Sequence, residues 1–349
     1  MKQHGTAPVL ILGGYGSLGS SIARMLRQLH PQLPITIAGR SIEQAAARAR
    51  QVGVANAVTI DLGDPSLGLS AGNEYSIVVT ALRDTSLNSL RYAQERSIPY
   101  MALSDAPFEL GPLVARFTQA PLRSAVMLLG HSIGGVPTLA ALHLAKEFAV
   151  IESIDIGLIF DPGDPFGPMS ARDMQHIAED GPPPLMLRQG VWRWGDPGTT
   201  NRKIIGAGGT AVEGQAVGLL DVLSLVSVAT RGSIRVDAAE AYTRTSRDGG
   251  KPSHEVIIEI AGRKHDGGSG CQRCELIDKE GYAALSARGI SIAVERMLGL
   301  SGGAAPPAGL YFPETVMDPG YFVERLKAFG IAIAPDAMLA EPDPTCGSR

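Results

Sequence analysis

The chain has 349 residues, of which 44% are hydrophobic and 19% are charged, and its formal net charge at pH 7 is -4. This length favours about two domains, and the mild acidity excludes a polybasic protein that binds nucleic acid or an anionic membrane surface. The apolar runs are too short or too interrupted to span a bilayer. The opening residues MKQHGTAP contain no apolar targeting core, so we expect a cytoplasmic protein without membrane or nucleic-acid partners.

The first strand and helix are predicted from VLILGGYGSLGSSIARML, residues 9–26. Four apolar residues lead into a glycine-rich turn, and apolar residues at helical spacing follow it. In this GxGxxG pattern, Gly14 permits the sharp turn, Gly16 lets a pyrophosphate approach, and Gly19 allows tight helix packing. A purely structural turn is the alternative. The pattern predicts a dinucleotide site, with helix amides facing the phosphates, formed by Gly14, Tyr15, Gly16, Ser17, Leu18 and Gly19.

The second strand, ITIAGRS at residues 35–41, is expected to end beside the adenine ribose of the nucleotide. NAD sites usually place a carboxylate there, but this chain offers Arg40 and Ser41, with no acidic residue before Glu43. A guanidinium binds a 2′-phosphate, and a serine hydroxyl adds a donor. We therefore predict NADP as the preferred cofactor. NAD is the alternative, with Arg40 stacking on adenine.

Regular alternation of strand and helix patterns continues over about the first 130 residues. Asp61 and Leu62 end the third strand and are predicted adenine-edge contacts, although Asp61 is also suited to a turn. Thr80 and Ala81 end the fourth strand, at the carboxyl edge where open α/β sheets bind ligands. The fold class predicted is therefore α/β, with a Rossmann doubly wound parallel sheet.

A second α+β domain with a mixed sheet is predicted after the Rossmann part, which gives domains at 1–132 and 133–305. Residues 306–349 are predicted to form a C-terminal helix and tail that pack back on the Rossmann domain. Within the second domain, residues 213–229 have the length and apolarity of a helix. VWRW predicts a strand on which Trp192 and Trp194 share a face. Burial of that face is the expected reason for the pair, with the lining of an apolar pocket as the alternative.

Cys271 and Cys274 are expected as two thiols in a surface loop. A redox pair, or a zinc site completed by His265 and Cys346, is the alternative. No metal site is predicted, because a structural zinc site needs four ligands.

Both ends of the chain carry a family resemblance. VLILGGYGSLGSSIARML followed by ITIAGRSIEQAAARA, together with PAGLYFPETVMDPGYFVERLKAFGI near the C-terminus, resembles the saccharopine dehydrogenase (saccharopine reductase) family. The resemblance implies a pyridine-nucleotide oxidoreductase with a Rossmann domain and a sheet-bearing substrate and dimerisation domain. It also implies a homodimer and hydride transfer at the carbon–nitrogen bond of a small, amino-acid-derived imine or secondary amine.

Three residues near predicted strand ends are candidates for catalysis. His131 is the predicted proton donor, with helix capping or interface packing as its alternative role. Asp105 is suited to orient an amine but also to cap a helix, and Arg83 is placed to bind a substrate carboxylate. Two other functions stay open: a nucleotide sensor that has lost the redox step, and a serine hydrolase using Ser132 in GHSIG.

Overall fold

A computed structural model describes residues 7–103, 106–164, 166–196 and 198–335. Contacts divide the chain into two compact units, each assembled from separate segments. The first unit contains the chain up to Gly130, Gly167–Ala178 and Ser286–Met317. The second contains His131–Phe166, Glu179–Leu285 and the described residues from Asp318 onward. These units are not contiguous in sequence, and the contiguous domain limits given above stay a prediction.

Up to residue 130 the chain alternates strands and helices. The strands are β1 Val9–Leu12, β2 Ile35–Gly39, β3 Ala55–Thr59, β4 Ile77–Thr80, β5 Tyr100–Ala102 and β6 Ala125–Leu128. The helices are α1 Ser17–Leu29, α2 Ile42–Val52, α3 Asn88–Arg96 and α4 Leu110–Phe117.

From residue 131 the described chain is richer in strands. The helices are α5 Val136–Ala145, α6 Pro168–Asp180, α7 Asp221–Leu225, α8 Arg244–Arg247, α9 Tyr282–Met297 and α10 Pro319–Ala328. The strands are β7 Phe148–Phe160, β8 Leu185–Arg188, β9 Val191–Trp194, β10 Asn201–Ile205, β11 Ala211–Ala216, β12 Ser233–Glu240, β13 His254–Lys264, β14 Ser269–Asp278, β15 Gly309–Tyr311 and β16 Ala332–Pro335.

The first sheet has the strand order β15-β6-β5-β4-β1-β2-β3, and every neighbouring pair is parallel. Strands β1 and β4 are buried along their whole length, as expected for strands with both faces covered. The order reverses direction at β1 and β4, the position where doubly wound sheets bind dinucleotides. The predicted Rossmann sheet is confirmed.

The second sheet has nine strands, with the main path β10-β11-β12-β7-β13-β14-β16 and with β8 and β9 attached through β12. The β12–β7 pair is parallel, whereas β7–β13 and β13–β14 are antiparallel. This mixture confirms the predicted mixed sheet. No helix in the described part of the chain has both the length and the apolarity needed to cross a membrane.

Three local expectations are wrong. Residues 213–229 form the end of β11 and the short helix α7 rather than one helix, because the chain first pairs with β12. Cys271 and Cys274 lie in β14 rather than in a loop, where pairing with β13 extends the strand. Trp192 and Trp194 do lie on a strand, β9, but 41% and 55% of their surfaces stay exposed, since among the described residues β9 pairs with β8 alone. Helix α6 was not predicted.

Candidate functional site

The glycine-rich loop between β1 and α1 is shaped by close backbone contacts. Gly13 takes the left-handed conformation, with φ of 76°, so the sharp turn predicted for Gly14 is made one residue earlier. A Cβ on Gly14 would lie 2.9 Å from the carbonyl oxygen of Ile11, and one on Gly19 would overlap the carbonyl oxygen of Gly13. Gly19 therefore allows α1 to pack tightly against the loop, and Gly14 allows the loop to pass close to β1 and β2.

Gly16 has a different environment. It is the N-cap residue of α1, and no side chain caps the helix at this end. A Cβ on Gly16 would have one close neighbour, the carbonyl oxygen of Gly13 at 3.2 Å. The space beside Gly16 is therefore largely open, and together with the uncapped helix start this fits an anion site at the start of a helix.

Tyr15 and Arg40 lie where the adenosine half of a dinucleotide is expected. The ring of Tyr15 is so close to Gly39 that any Cβ there would overlap it. Arg40 follows at the end of β2, is exposed and forms no ion pair in the described part of the chain. Ser41 caps α2: its Oγ accepts a hydrogen bond from Gln44 N at 3.3 Å and donates one to Glu43 at 2.8 Å.

The other predicted cofactor contacts lie at or just after the carboxyl ends of β3 and β4; β3 ends at Thr59, so Asp61 and Leu62 follow the strand rather than end it as predicted. The carboxylate of Asp61 accepts the Gly63 N–H at 2.9 Å, which is the turn role left open above. The Leu62 carbonyl accepts hydrogen bonds from Ser86 and Asn88. Thr80 is buried and its hydroxyl donates to the Met101 carbonyl at 2.7 Å. The Thr80 hydroxyl therefore already has a partner in β5. Only the backbone atoms of Thr80 would contact a nucleotide.

Ala81 links the end of β4 to the glycine turn. Its N–H donates to the Leu12 carbonyl at 2.9 Å, and its own carbonyl oxygen would lie 2.9 Å from a Cβ on Gly13. The loop after β4 consequently begins against the glycine turn, so residues that follow Ala81 share the same edge of the sheet.

Arg83 is held in a cluster of polar side chains that sequence reasoning missed. Its guanidinium pairs with the carboxylate of Glu109 and lies within hydrogen-bond distance of His176 Nε2. His176 Nε2 is 3.2 Å from Glu109 Oε1. Arg83 thus already has a carboxylate partner within the protein. Arg83 and His176 are 93 residues apart in the chain, and helix α6, which carries His176, was not predicted. The sequence therefore contained no local signal for this cluster.

His131 is buried and its Nε2 is 2.7 Å from Ser224 Oγ. Burial lowers the pKa of His131 to about 4, although Asp221 acts to raise it. At pH 7 the ring is therefore neutral and makes a contact typical of a structural histidine. The predicted role of His131 as proton donor gains no support from this position and stays a prediction.

Ser132 is bound to a buried carboxylate rather than to a histidine. Asp221 accepts hydrogen bonds from the backbone N–H of Ser132 at 2.8 Å, from its hydroxyl at 2.7 Å and from the Thr138 hydroxyl at 2.6 Å. A nucleophilic serine needs a base that takes its proton and is itself oriented, which is the role of histidine in hydrolases. This arrangement does not favour the hydrolase hypothesis.

Asp105 lies outside the described residues, so its predicted role stays a prediction. Among the described residues there is no group of three or more His, Cys, Asp or Glu side chains that could hold a metal ion.

Comparison with known proteins gives a likeness of fold. No protein-family model matches the sequence, and no curated protein sequence matches it. The model is similar to saccharopine dehydrogenase (L-Glu forming) from Saccharomyces cerevisiae, with a TM-score of 0.63 and 14% sequence identity, covering 95% of this chain and 100% of that chain. The chain therefore has the fold of saccharopine dehydrogenase, as the resemblance at both ends predicted.

Two further solved structures are similar at lower scores. A myo-inositol dehydrogenase from Corynebacterium glutamicum has a TM-score of 0.48 and 13% identity, covering 95% of this chain and 99% of that chain. An oxidoreductase domain protein from Kribbella flavida has a TM-score of 0.48 and 12% identity, covering 95% of this chain and 100% of that chain.

Proposed function

We propose that this protein is an oxidoreductase that binds a nicotinamide dinucleotide, prefers NADP and transfers hydride at a carbon–nitrogen bond. The observation that carries the proposal is the start of α1. Its amides lack a side-chain cap, and Gly16 leaves the ligand side of the loop open at the strand-order reversal of a parallel sheet.

The residues of the loop fit such a nucleotide. The amides that follow Gly16 would bind the pyrophosphate, and the helix dipole of α1 favours that negative charge. Tyr15 and Arg40 would contact the adenosine half, and backbone atoms at Thr80 and Ala81 would contact the other half. The bound nucleotide supplies the hydride chemistry, while the protein supplies orientation and proton transfer.

The preference for NADP is based on Arg40. Its guanidinium is exposed at the end of β2, where the adenine ribose is expected, and it has no carboxylate partner in the described part of the chain. A guanidinium binds a phosphate through two parallel hydrogen bonds. Glu43, the nearest carboxylate in sequence, accepts the Ser41 hydroxyl at 2.8 Å, an arrangement that directs it toward the helix start.

The substrate class and the assembly state are proposed from the resemblance at the two ends of the chain. They are an amino-acid-derived imine or secondary amine and a homodimer. The structural likeness to saccharopine dehydrogenase supports the proposed substrate class by fold analogy.

The test is a fluorescence titration with NADPH and NADH of the wild-type protein and of Arg40→Ala. We expect tighter binding of NADPH by the wild type and a loss of about tenfold or more in NADPH affinity in the variant, with little change for NADH. Arg50→Ala, which removes an exposed arginine near the end of α2, is the matched control. Absence of binding of both nucleotides at millimolar concentration would overturn the proposal.

A nucleotide sensor without redox activity is the second candidate function, and the burial of His131 favours it because the expected proton donor is neutral at pH 7. NADPH oxidation with an imine or a carbonyl compound and an amine would reject the sensor. Nucleotide binding that changes the assembly state, without oxidation of any tested substrate, would favour it.

A further inference from the structure

Helix α6 buries little of its surface. None of its described side chains is fully buried, and the half-buried ones are Ser170, Asp173, His176 and Ile177. The shorter helix α3, in contrast, contains five buried residues. Burial of apolar side chains supplies most of the stability of a helix within a protein. The contacts that hold α6 are therefore weaker than those that hold α3.

The half-buried residues of α6 lie on one face of the helix. Positions 170, 173, 176 and 177 include pairs that are three or four residues apart, and such pairs share one side of a helix. Three of the four residues are polar, and Ile177 is the apolar member. The opposite face, which includes Arg172 and Met174, is exposed. The inner face of α6 is thus mainly polar.

Both ends of α6 contact the unit that contains the first sheet. The segment Gly167–Ala178 belongs to that unit, and a Cβ on Gly167 would lie 2.9 Å from the Cβ of Ser17 in the first turn of α1. Toward the other end, His176 Nε2 is 3.2 Å from Glu109 Oε1. The His176 ring also lies 5.7 Å from the Phe108 ring between centroids.

Arg83 adds an electrostatic attraction to these contacts. Its guanidinium pairs with Glu109 and lies within hydrogen-bond distance of His176 Nε2. Burial raises the pKa of Asp173, whereas the charge of Arg83 acts to lower it, so Arg83 also attracts the Asp173 carboxylate. The side chains of Arg83, Glu109 and His176 are 16–24% exposed, which reduces screening by salt. The inner face of α6 is therefore held largely by polar contacts.

The contacts of α6 follow the carboxyl edge of the first sheet. Gly167 lies against the loop after β1, and His176, about 14 Å further along the helix axis, lies against the loops after β4 and β5. The adenosine half of a dinucleotide is expected over β2, and the other half over β4 and the strands beyond it. Helix α6 thus borders the edge from the expected phosphate position to the expected nicotinamide position.

We propose that α6 is a lid on the nicotinamide half of the cofactor site, a proposal that rests on the proposed function. The lid opens to admit and release the nucleotide, and in the closed position it keeps water from the nicotinamide ring. The contacts with Arg83 and Glu109 hold it closed. A segment with few buried apolar contacts opens locally at low cost, which is the property that a lid requires.

Amide hydrogen exchange measured by mass spectrometry, without any substrate, tests the lid. In the free protein α6 should exchange faster than α3. Saturating NADPH should slow the exchange of α6 about tenfold or more and change that of α3 little. Adenosine 2′,5′-bisphosphate, which lacks the nicotinamide half, should protect the glycine-rich loop and leave α6 unchanged.

The variant Glu109→Gln weakens the closed position. It keeps an acceptor oxygen but removes the charge that pairs with Arg83. We expect faster exchange of α6 before any nucleotide is added, and release of NADPH about fivefold faster or more in stopped-flow fluorescence. Glu95→Gln is the matched control, because it removes the partner of Arg91 at 2.7 Å in the same unit. It should release NADPH at the wild-type rate.

A second variant loosens α6 without a change of charge. Gly167→Ala places a Cβ against Ser17 at the start of the helix. It should also speed the exchange of α6 and the release of NADPH. Gly111→Ala, in α4, is its control, because no atom lies within 4 Å of the added Cβ.

The outcomes separate the lid from the proposed function. Protection of the glycine-rich loop by NADPH without protection of α6, or release at the wild-type rate from both Glu109→Gln and Gly167→Ala, would overturn the lid while the proposed function stands. Equal protection of α6 by adenosine 2′,5′-bisphosphate would overturn its assignment to the nicotinamide half. Failure of the wild type to bind NADPH and NADH would overturn both proposals.

Discussion

Ser132 and Asp221 are joined by two hydrogen bonds, one from the backbone N–H and one from the hydroxyl of the serine, at 2.8 and 2.7 Å. Asp221 is fully buried, and Thr138 supplies a third donor to it. These contacts hold the turn at 132–135, in which Ile133 has a left-handed backbone with φ of 48°. A branched residue with a left-handed backbone is strained, and the hydrogen bonds that Ser132 and Thr138 donate to Asp221 offset this strain at Ile133.

Loss of the Asp221 carboxylate should destabilise the second unit. We expect Asp221→Ala to lower the free energy of unfolding by about 3 kcal/mol, since three buried donors lose their acceptor. Urea denaturation measures the effect. Asp266→Ala, which removes an exposed carboxylate that accepts a backbone N–H in a turn, is the control, with an expected cost of about 1 kcal/mol or less. Equal costs in the two variants would contradict this account.

Substitution of the loop glycines should separate folding from nucleotide binding. Gly19→Ala should lower stability by about 2 kcal/mol or more, because its Cβ would overlap the loop backbone. Gly16→Ala should fold normally and weaken nucleotide binding about tenfold, because its Cβ points to the side where the phosphates are expected. Thermal unfolding and nucleotide titration together distinguish the two effects.

The control for the glycine variants is Gly72→Ala, a site with no atom within 4 Å of the added Cβ. It should leave both stability and affinity unchanged. If Gly16→Ala binds the nucleotide as tightly as Gly72→Ala does, the loop is a structural turn and the site lies elsewhere.

His254 should make the protein sensitive to acid. The side chain is fully buried, and neither ring nitrogen has a hydrogen-bond partner among the described residues. Burial lowers the pKa of His254 to about 3 from its ordinary value of 6.5. Between these values the unfolded chain binds the extra proton, so the free energy of unfolding should fall as the pH drops below 6.5, by about 1.4 kcal/mol per unit.

The variant His254→Leu tests whether His254 is the source of the acid sensitivity. It loses no hydrogen bond and has a similar volume, so its stability at pH 7 should be within about 1 kcal/mol of the wild type. The fall in stability between pH 6 and pH 4 should be shallower by about 1.4 kcal/mol per unit. His265→Leu changes an exposed histidine and should keep the wild-type slope. A wild-type slope in His254→Leu would show that His254 is not the titrating group.

The tryptophan fluorescence should show whether β9 is exposed to solvent. The chain has two tryptophans, Trp192 and Trp194, and both are largely exposed on this strand. We expect emission close to that of tryptophan in water and efficient quenching by acrylamide. Emission shifted to the blue and protected from the quencher would show that a second chain covers β9, and its dependence on protein concentration would then report the proposed homodimer.

The sequence by itself determined six of the seven strands of the first sheet and the glycine loop, because these follow from local rules; the edge strand β15 was not predicted. Continuous apolar runs such as Val9–Leu12 are typical of buried parallel strands, and glycine spacing reflects backbone sterics within one short segment. The residues predicted around the adenosine half, Arg40 and Ser41, lie at the end of β2 for the same reason. Strand and helix boundaries moved by a few residues without changing the topology.

Only the tertiary structure decided which polar residues meet. His176 lies 93 residues from Arg83 in the chain, on a helix that joins the first unit after the chain has passed through the second. Contacts between distant parts of the chain also determine that His131 is buried, that Ser132 is bound to Asp221 and that Trp192 is exposed. Burial and pairing of such side chains depend on which elements pack together, and that packing is set by contacts far apart in sequence rather than by local periodicity.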